Sequence, residues 1–268
     1  MKRRRIVLIG YGAIAADLAA RLLAAREPAC DLAVLLGAAS PSRERVPSGC
    51  ALLSDMEGIA AFAPDLVVEA AGHGAIRAHG PACLGLGLPL LVSSIGALHD
   101  ETLLAQLTEA ARLGGGRILL PSGALGGLDY VRAVRGAAGL SLAYESRKPP
   151  AAWKGELERL GHDAEHLDSA VTLFAGDARA AAAAYPQNLN VAAALALAGP
   201  GFSGVEVAVV CDPAAAGNTH IVEAKSALGT MRIEIANRPS PANPKTSWIV
   251  GASLMAAIEQ FFSPIQML

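Results

Sequence analysis

The chain has 268 residues, of which 53% are hydrophobic, and its formal net charge is −2. This length provides a core for one large or two modest domains, and the near-neutral charge argues against a nucleic-acid or anionic membrane surface. The basic opening MKRRR is followed by the short apolar run IVLI before Gly10. We therefore expect a first strand with a charged lead-in rather than a signal peptide.

The cysteines are scattered along the chain and form no CxxC motif; they are Cys30, Cys50, Cys83 and Cys211. They predict neither a metal site nor a disulfide framework, and they fit a reducing cytoplasm. The most apolar run, VAAALALAGPGFSGVEVAVV, is interrupted by Gly199-Pro200-Gly201 and by Glu206. A spanning helix needs about 20 uninterrupted apolar residues, so we expect no membrane segment.

Strand-like and helix-like runs alternate over the first 120 or so residues. Apolar runs such as RIVLIG, LVVEAAG and PLLVSS are separated by helical patterns such as AIAADLAARLLAARE. Alternation of this kind predicts an α/β fold with a doubly wound parallel sheet, whose strands are apolar throughout because both faces are buried.

From about Leu140 the strands become partly alternating, as in LSLAYESRKP and TMRIEIANR. This predicts a second, α+β domain with a mainly antiparallel sheet, interrupted by a helical stretch that Pro186 kinks or ends. We place the first domain at residues 1–121 and the second at 122–244. A final amphipathic helix, 245–262, is expected to pack back on the first domain.

A glycine motif directly follows the first strand and opens a helix. In VLIGYGAIAADL, Gly10, Gly12 and Ala15 form G-x-G-x-x-A. The first position permits a tight turn, the second lets a pyrophosphate approach the backbone, and the third allows close packing of helix on strand. In this strand–turn–helix context the motif predicts a Rossmann-type dinucleotide site, although a tight turn without a ligand is the alternative.

The loops after two further strands offer other cofactor contacts. The second strand ends without the acidic residue that holds the ribose of NAD; Ser40 and Arg43 follow instead, and hydroxyl and guanidinium groups suit the 2′-phosphate of NADP. We therefore expect NAD or NADP. Small residues at Ala71 and Gly72 let the next loop pass close to a cofactor, and His73 is a further possible contact.

With its later motifs the sequence resembles the L-aspartate dehydrogenase family. The resemblance rests on IVLIGYGAIA, VEAAGH, SSIGAL, PSGALGGLD and NPKTS in this order, and it covers nearly the whole chain. It implies that His220, in the stretch from Asp212-Pro213 to Ile221, is catalytic, and that Ala124 and Asn190 contact the cofactor. The missing acid after the second strand and the pair His73-Gly74 depart from the family pattern.

The chemistry that the resemblance implies is oxidation of L-aspartate through iminoaspartate to oxaloacetate and ammonia. Its proton transfers suit a histidine, which we expect to be His220. A dicarboxylate needs cationic or hydroxyl donors, and Lys245, Thr246 and Ser247 stand where the last helix is predicted to begin, an end that favours carboxylates.

Other functions stay open on the sequence alone. Enzymes of the homoserine dehydrogenase or dihydrodipicolinate reductase type share this domain plan, and a dinucleotide-sensing protein without turnover is a different class of alternative. Neither the pathway, NAD biosynthesis or aspartate catabolism, nor the direction follows from the residues. Because the second domain has few helices to cover its sheet, we expect a homodimer.

Overall fold

The computed structural model describes residues 3–27, 29–185 and 190–267, with the backbone alone for residues 244 and 245. Its internal contacts divide the chain into two units, Met1–Gly123 with Val250–Leu268, and Ala124–Ile249. Within the residues described, no helix is both long and apolar enough to cross a membrane.

The first unit is built on a parallel sheet. In its described part the strands are Arg4–Ile9 (β1), Cys30–Leu35 (β2), Ala51–Leu53 (β3), Leu66–Glu69 (β4), Leu90–Val92 (β5) and Ile118–Leu119 (β6). The helices between them are Ala13–Ala24 (α1), Met56–Phe62 (α2), His73–Gly85 (α3) and Glu101–Gly114 (α4). The strand order is β3-β2-β1-β4-β5-β6, and every pairing is parallel. This confirms the predicted doubly wound, Rossmann-type sheet.

Burial explains the apolar composition of these elements. Ile6, Val7 and Leu8 of β1 are fully buried in succession, as a strand covered on both faces requires. On α1 the buried residues recur at helical spacing, at Ala15, Leu18, Ala19 and Leu22. The order of the strands places β1 beside β4, and ligands of such sheets bind outside the carboxyl ends of the strands where the order reverses.

The second unit contains a mixed sheet and several short helices. Its helices are Leu128–Val134 (α5), Lys154–Arg159 (α6), Ala178–Ala184 (α7) and Asn190–Ala198 (α8). Its strands are Ser141–Lys148 (β7), Val171–Asp177 (β8), Val205–Cys211 (β9), Asn218–Ser226 (β10), Gly229–Asn237 (β11), Pro239–Ser240 (β12) and Asn243–Ser247 (β13). The main sheet has the order β11-β10-β7-β9-β8. All its pairings are antiparallel except β7 with β9, so the predicted mainly antiparallel sheet is confirmed.

One face of this sheet is buried and carries the polar side chains that matter below. Along β7 burial alternates, and the buried positions are Leu142, Tyr144, Ser146 and Lys148. The antiparallel register places His220 of β10 opposite Ser146. The buried face is thus apolar at one end and polar at the other.

The last helix, Ile249–Phe262 (α9), begins later than the sequence predicts. Residues 245–247 belong to β13, which pairs antiparallel with β12, so a helix starting at 245 is wrong. The Trp248 N–H donates to the Arg238 carbonyl at 2.9 Å and closes this small hairpin before the helix starts. Leu254 and Ile258 of α9 are fully buried in the same hydrophobic cluster as Ile6 of β1.

Candidate active site

The glycine motif of the first unit has the geometry that a dinucleotide site needs. Gly10 has φ +91°, and a Cβ placed there would lie 2.4 Å from the Cβ of Ala71. Gly12 is the N-cap of α1, and a Cβ there would meet nothing within 4 Å. Ala15 is fully buried under the sheet. There is therefore no room for a side chain at Gly10, whereas the backbone at Gly12 is open, and a phosphate would approach there.

A buried carboxylate holds together the loops that follow β4 and β5. Glu69, the last residue of β4, is 0% exposed. Its Oε1 accepts from the N–H groups of Ala71 at 2.8 Å and Gly72 at 2.9 Å and from the Ser94 hydroxyl at 2.9 Å. Its Oε2 accepts from the Ser94 N–H at 3.0 Å. Four donors offset the cost of burying this group and hold the loops after β4 and β5 together.

The helix that follows β4 also starts on a glycine. Gly72 has φ +104° and is the N-cap of α3, without a side-chain cap. The first residue of that helix is His73, whose ring lies 6.5 Å from that of His99. Burial, then the nearby His99 and Arg77, lowers the pKa of His73, so its imidazole is neutral at pH 7.

The segment after β2 is a short 3₁₀ helix, Pro41–Arg45, capped by Ser40. The Arg43 guanidinium donates to the Leu36 carbonyl at 2.9 Å and to the Ser54 hydroxyl at 3.3 Å. Arg45 donates to the carbonyl of Tyr11, inside the glycine motif, at 3.3 Å. Two guanidinium groups therefore lie by the ends of β1 and β2, and the sequence had singled out the first of them.

The second unit holds His220 near the start of β10, on the buried face of its sheet. The side chain is 4% exposed. Its Nδ1 lies 2.8 Å from the hydroxyl oxygen of Tyr144, and the two rings are stacked with centroids 6.0 Å apart. Its Nε2 is buried and, among the described residues, has no hydrogen-bond partner. One ring nitrogen is thus held by the protein and the other is left for a reacting group.

The surroundings keep this imidazole neutral. Burial, and secondarily the positive charge of Lys148, lowers the pKa of His220 from 6.5 to about 4. Lys148 is 4% exposed, and its ammonium lies 5.4 Å from the ring centroid of Trp153. At neutral pH the imidazole is therefore uncharged, with a lone pair on one ring nitrogen.

Three hydrogen bonds of Asp212 fix the start of the loop before His220. Asp212 accepts from the N–H of Ala214 at 2.8 Å and from the guanidinium of Arg147 at 2.7 Å. In that order these contacts lower the pKa of the carboxyl. The Asp212 N–H donates to the Lys148 carbonyl at 2.9 Å. The start of the 212–217 loop is therefore tied to β7, the strand that carries Tyr144.

A buried asparagine pair supports other residues that the sequence singled out. Asn237 donates to the carbonyl of Ala124 at 2.9 Å, and Asn218, its partner in the β10–β11 register, donates to the hydroxyl of Ser247 at 3.1 Å. Ser247 is 7% exposed and so engaged within the protein. Thr246 lies in β13, whereas the Lys245 side chain lies outside what the structure describes.

Comparison with known proteins identifies the family. A family model described as "Aspartate dehydrogenase, C-terminal" matches residues 129–261, and one described as "Homoserine dehydrogenase, NAD binding domain" matches residues 10–121. L-Aspartate dehydrogenase 2 of Bordetella bronchiseptica is 50% identical over 256 residues, 96% of each chain. L-Aspartate dehydrogenase of Ruegeria pomeroyi is 43% identical over 96% of this chain and 92% of its own. The chain belongs to the L-aspartate dehydrogenase family.

Solved structures agree on the fold. The crystal structure of aspartate dehydrogenase from Thermotoga maritima matches with a TM-score of 0.79 at 25% identity, over 100% of both chains. A dihydrodipicolinate reductase from Paenisporosarcina matches with a TM-score of 0.52 at 11% identity. The second likeness shows the shared fold alone, which is why the domain plan did not separate these enzyme types.

The structure brings Gly10, Gly12, Ala15, Ala71 and Gly72 together at the ends of β1 and β4, with Ser40 and Arg43 after β2. Asn190 is the first residue of α8. The residues just before it, 186–189, which include Pro186 and Asn188, lie outside the part of the chain that the structure describes. Their roles stay predictions. Sequence reasoning missed Tyr144, Lys148 and Glu69, which interrupt apolar strand patterns with a polar residue at a buried position.

The depressed pKa of His220 makes a prediction for stability. The unfolded chain takes up a proton near pH 6.5, whereas the folded chain resists it down to about pH 4. Above pH 6.5 this histidine does not lower the free energy of unfolding. As the pH falls toward 4, the free energy of unfolding decreases, because the unfolded chain binds a proton that the folded chain does not. Between pH 7 and 5 we expect wild type to lose about 2 kcal/mol more than His220→Gln.

Urea unfolding of both proteins at the two pH values measures this difference, because the other titrating groups are common to both. Equal losses in wild type and His220→Gln would show that the imidazole is not held neutral by burial.

Proposed function

We propose that the protein is an NAD(P)-dependent L-aspartate dehydrogenase, which oxidises L-aspartate to iminoaspartate; water then releases oxaloacetate and ammonia. The observation that carries the proposal is the identity of 50% to the Bordetella enzyme over 96% of each chain. The enzyme would act in the cytoplasm, where its scattered thiols stay reduced.

The first unit fits a nicotinamide dinucleotide. The open backbone at Gly12 and the uncapped helix start at α1 would take the pyrophosphate. Ala71 and Gly72, held by Glu69, would line the path of the ribose and nicotinamide. From the second unit, Ala124 and Asn190 would add the contacts that the family resemblance implies. When bound, the nicotinamide ring supplies the hydride acceptor.

His220 would handle the protons of the reaction. In the first half, Cα of L-aspartate loses a hydride and its ammonium loses a proton, giving the iminium; the lone pair of a neutral His220 takes that proton. In the second half, water adds to the iminium carbon and releases one proton to solvent, and the imidazolium then protonates the amine of the resulting carbinolamine. The C–N bond breaks as the C=O bond forms, and the hydroxyl proton leaves with the ammonia as ammonium. The carboxylates of bound substrate would raise the pKa of His220 from its low value, because a nearby negative charge favours the imidazolium.

The central test combines substrate and site. Wild type should reduce NAD⁺ or NADP⁺ with L-aspartate, and much less with D-aspartate, L-glutamate or L-homoserine. His220→Ala should lower kcat by about 10²–10⁴-fold, the usual contribution of an acid–base group, and His220→Asn should recover little. Absorbance at about 340 nm follows the reaction, and dinucleotide titration serves as the control for folding.

Preference for L-homoserine would instead support the homoserine dehydrogenase type. Tight dinucleotide binding without turnover of any amino acid would support a sensing role. Near-wild-type turnover in His220→Ala would remove this residue from the chemistry.

We further propose that Arg43 and Ser40 allow the use of NADP beside NAD. No carboxylate stands at residues 36–43, after the described strand β2, and Arg43 lies against the end of that strand through the Leu36 carbonyl. A charged hydrogen bond to the 2′-phosphate contributes about 1.5–3 kcal/mol. Arg43→Ala should therefore raise the KM for NADP about tenfold or more and leave the KM for NAD nearly unchanged.

Arg26→Ala is the matched control, because Arg26 is an exposed arginine of the same unit; it should change neither KM. Equal effects of Arg43→Ala on both cofactors would reject the proposed contact.

We also propose a homodimer formed through the second face of the mixed sheet. This face carries a groove of about 570 Å³. Its charged side chains have both signs; they are Glu145, Arg147, Glu206, Glu223 and Arg232. A two-fold interface brings the same surface against itself, so a patch of mixed charge can be self-complementary. Light scattering at micromolar concentration should give twice the chain mass of 27.3 kDa.

Glu206→Lys should shift this mass toward the monomer, whereas Glu158→Lys, a change on the α6 surface, should leave it unchanged. A monomer mass for wild type would contradict the dimer.

A further inference from the structure

We propose that Tyr144 is a positioning residue for His220: its hydroxyl oxygen keeps the imidazole proton on Nδ1 and so leaves the lone pair of Nε2 for the substrate amine. The inference rests on the proposed function for its catalytic consequence, but the tautomer itself is a property of the free protein.

Strand register makes this contact specific. Tyr144 pairs with Val222 and Ser146 pairs with His220, so the tyrosine and the histidine are diagonal neighbours on the same buried face of two antiparallel strands. The distance between Oη and Nδ1 is 2.8 Å, and the ring planes are inclined by 23°. Rotation of the imidazole about Cβ–Cγ would break this bond, so the tyrosine fixes which nitrogen points away from it.

The phenol stays protonated and neutral. Tyr144 is 2% exposed, and burial raises its pKa well above the ordinary range. Its oxygen therefore has lone pairs to accept from the imidazole while its own proton is retained. The positive charge of Lys148, also on β7, acts against the imidazolium, so the pair at rest is a neutral phenol and a neutral imidazole.

The unpartnered nitrogen decides between the two tautomers. Nε2 is buried and finds no acceptor among the described residues. A proton on Nε2 would create an orphaned buried donor, whereas a lone pair there leaves only an under-satisfied acceptor, which folded proteins tolerate more often. With the proton on Nδ1 the Tyr144 oxygen accepts it, and the phenol O–H then needs an acceptor of its own. The buried Ser146 hydroxyl, on the same face of β7 and otherwise unpartnered among the described residues, is the group placed to accept it. The proton therefore belongs on Nδ1, and Nε2 is the basic atom.

The direct test is a long-range ¹H–¹⁵N spectrum of ¹⁵N-histidine-labelled protein at pH 7, without substrate. The chain has six histidines, and the signals that disappear in His220→Asn assign His220. We expect one protonated nitrogen, Nδ1, and one unprotonated nitrogen, Nε2, in wild type. In Tyr144→Phe the proton should move wholly or partly to Nε2. A wild-type His220 protonated at Nε2, or a tautomer unchanged by Tyr144→Phe, would overturn the proposal.

Kinetics test the consequence. Tyr144→Phe should lower kcat for L-aspartate roughly 10- to 100-fold, the effect of losing one hydrogen bond to a group that becomes charged, with dinucleotide affinity unchanged. If Tyr144 acts through His220, adding Tyr144→Phe to His220→Ala should cost nothing further. Full additivity of the two changes would contradict this route.

Tyr185→Phe is the matched control, because the Tyr185 hydroxyl bonds to Glu156 rather than to the histidine, at 3.2 Å. It should alter neither the His220 signals nor kcat. If the protein fails to oxidise L-aspartate, the spectra still decide the tautomer, so the two proposals fail separately.

Discussion

The arrangement of the second unit depends on one constraint, the burial of the His220 imidazole. His220 is placed on the covered face of a sheet, where water cannot solvate its charged form, and a lysine stands on the same face. Such a site is stable only with a neutral ring, which needs a partner for one nitrogen. Tyr144 is that partner, and the strand register that pairs β7 with β10 follows from the same alternation of buried side chains.

In the first unit, one buried carboxylate holds together the loops that follow two neighbouring strands. Backbone N–H groups beyond the ends of β4 and β5 are gathered on the Glu69 carboxylate. The contact of Gly10 with Ala71 allows no side chain larger than a hydrogen. The buried carboxylate costs stability that its four hydrogen bonds offset, and the positive φ of Gly10 is a conformation that glycine adopts without strain. Rigid loops of this kind suit a binding surface for phosphate and ribose.

Sequence patterns predicted the fold because burial sets the period of the strands. The apolar runs at residues 6–9 of β1 and 66–68 of β4 predicted a parallel sheet, and the alternating pattern of β7 predicted a mainly antiparallel one. The three-residue edge strand β3 has no period to detect. The start of α9 was misplaced because Lys245, Thr246 and Ser247 belong to β13, which pairs with β12 through Asn243 and Ser247. Local sequence pattern does not contain the contact with that partner strand.

The candidate site was predictable only where a motif encodes it. The glycines follow from backbone geometry, and His220 followed from resemblance to a family. Tyr144 and Lys148 had no motif, because their role depends on the register of two strands that are far apart in sequence. Such residues can be recognised where polar side chains occupy those alternate positions of a strand that face the core.

The central step of the proposed function is the removal of a hydride from Cα of L-aspartate. The most direct measurement uses L-aspartate carrying deuterium at Cα, with NAD⁺ and NADP⁺ in separate reactions, and mass spectrometry of the reduced cofactor. We expect one deuterium in each reduced cofactor that wild type forms, and we expect His220→Ala to form hardly any labelled cofactor in the same time. A cofactor that is reduced without acquiring the label, or that is not reduced at all, would contradict this step.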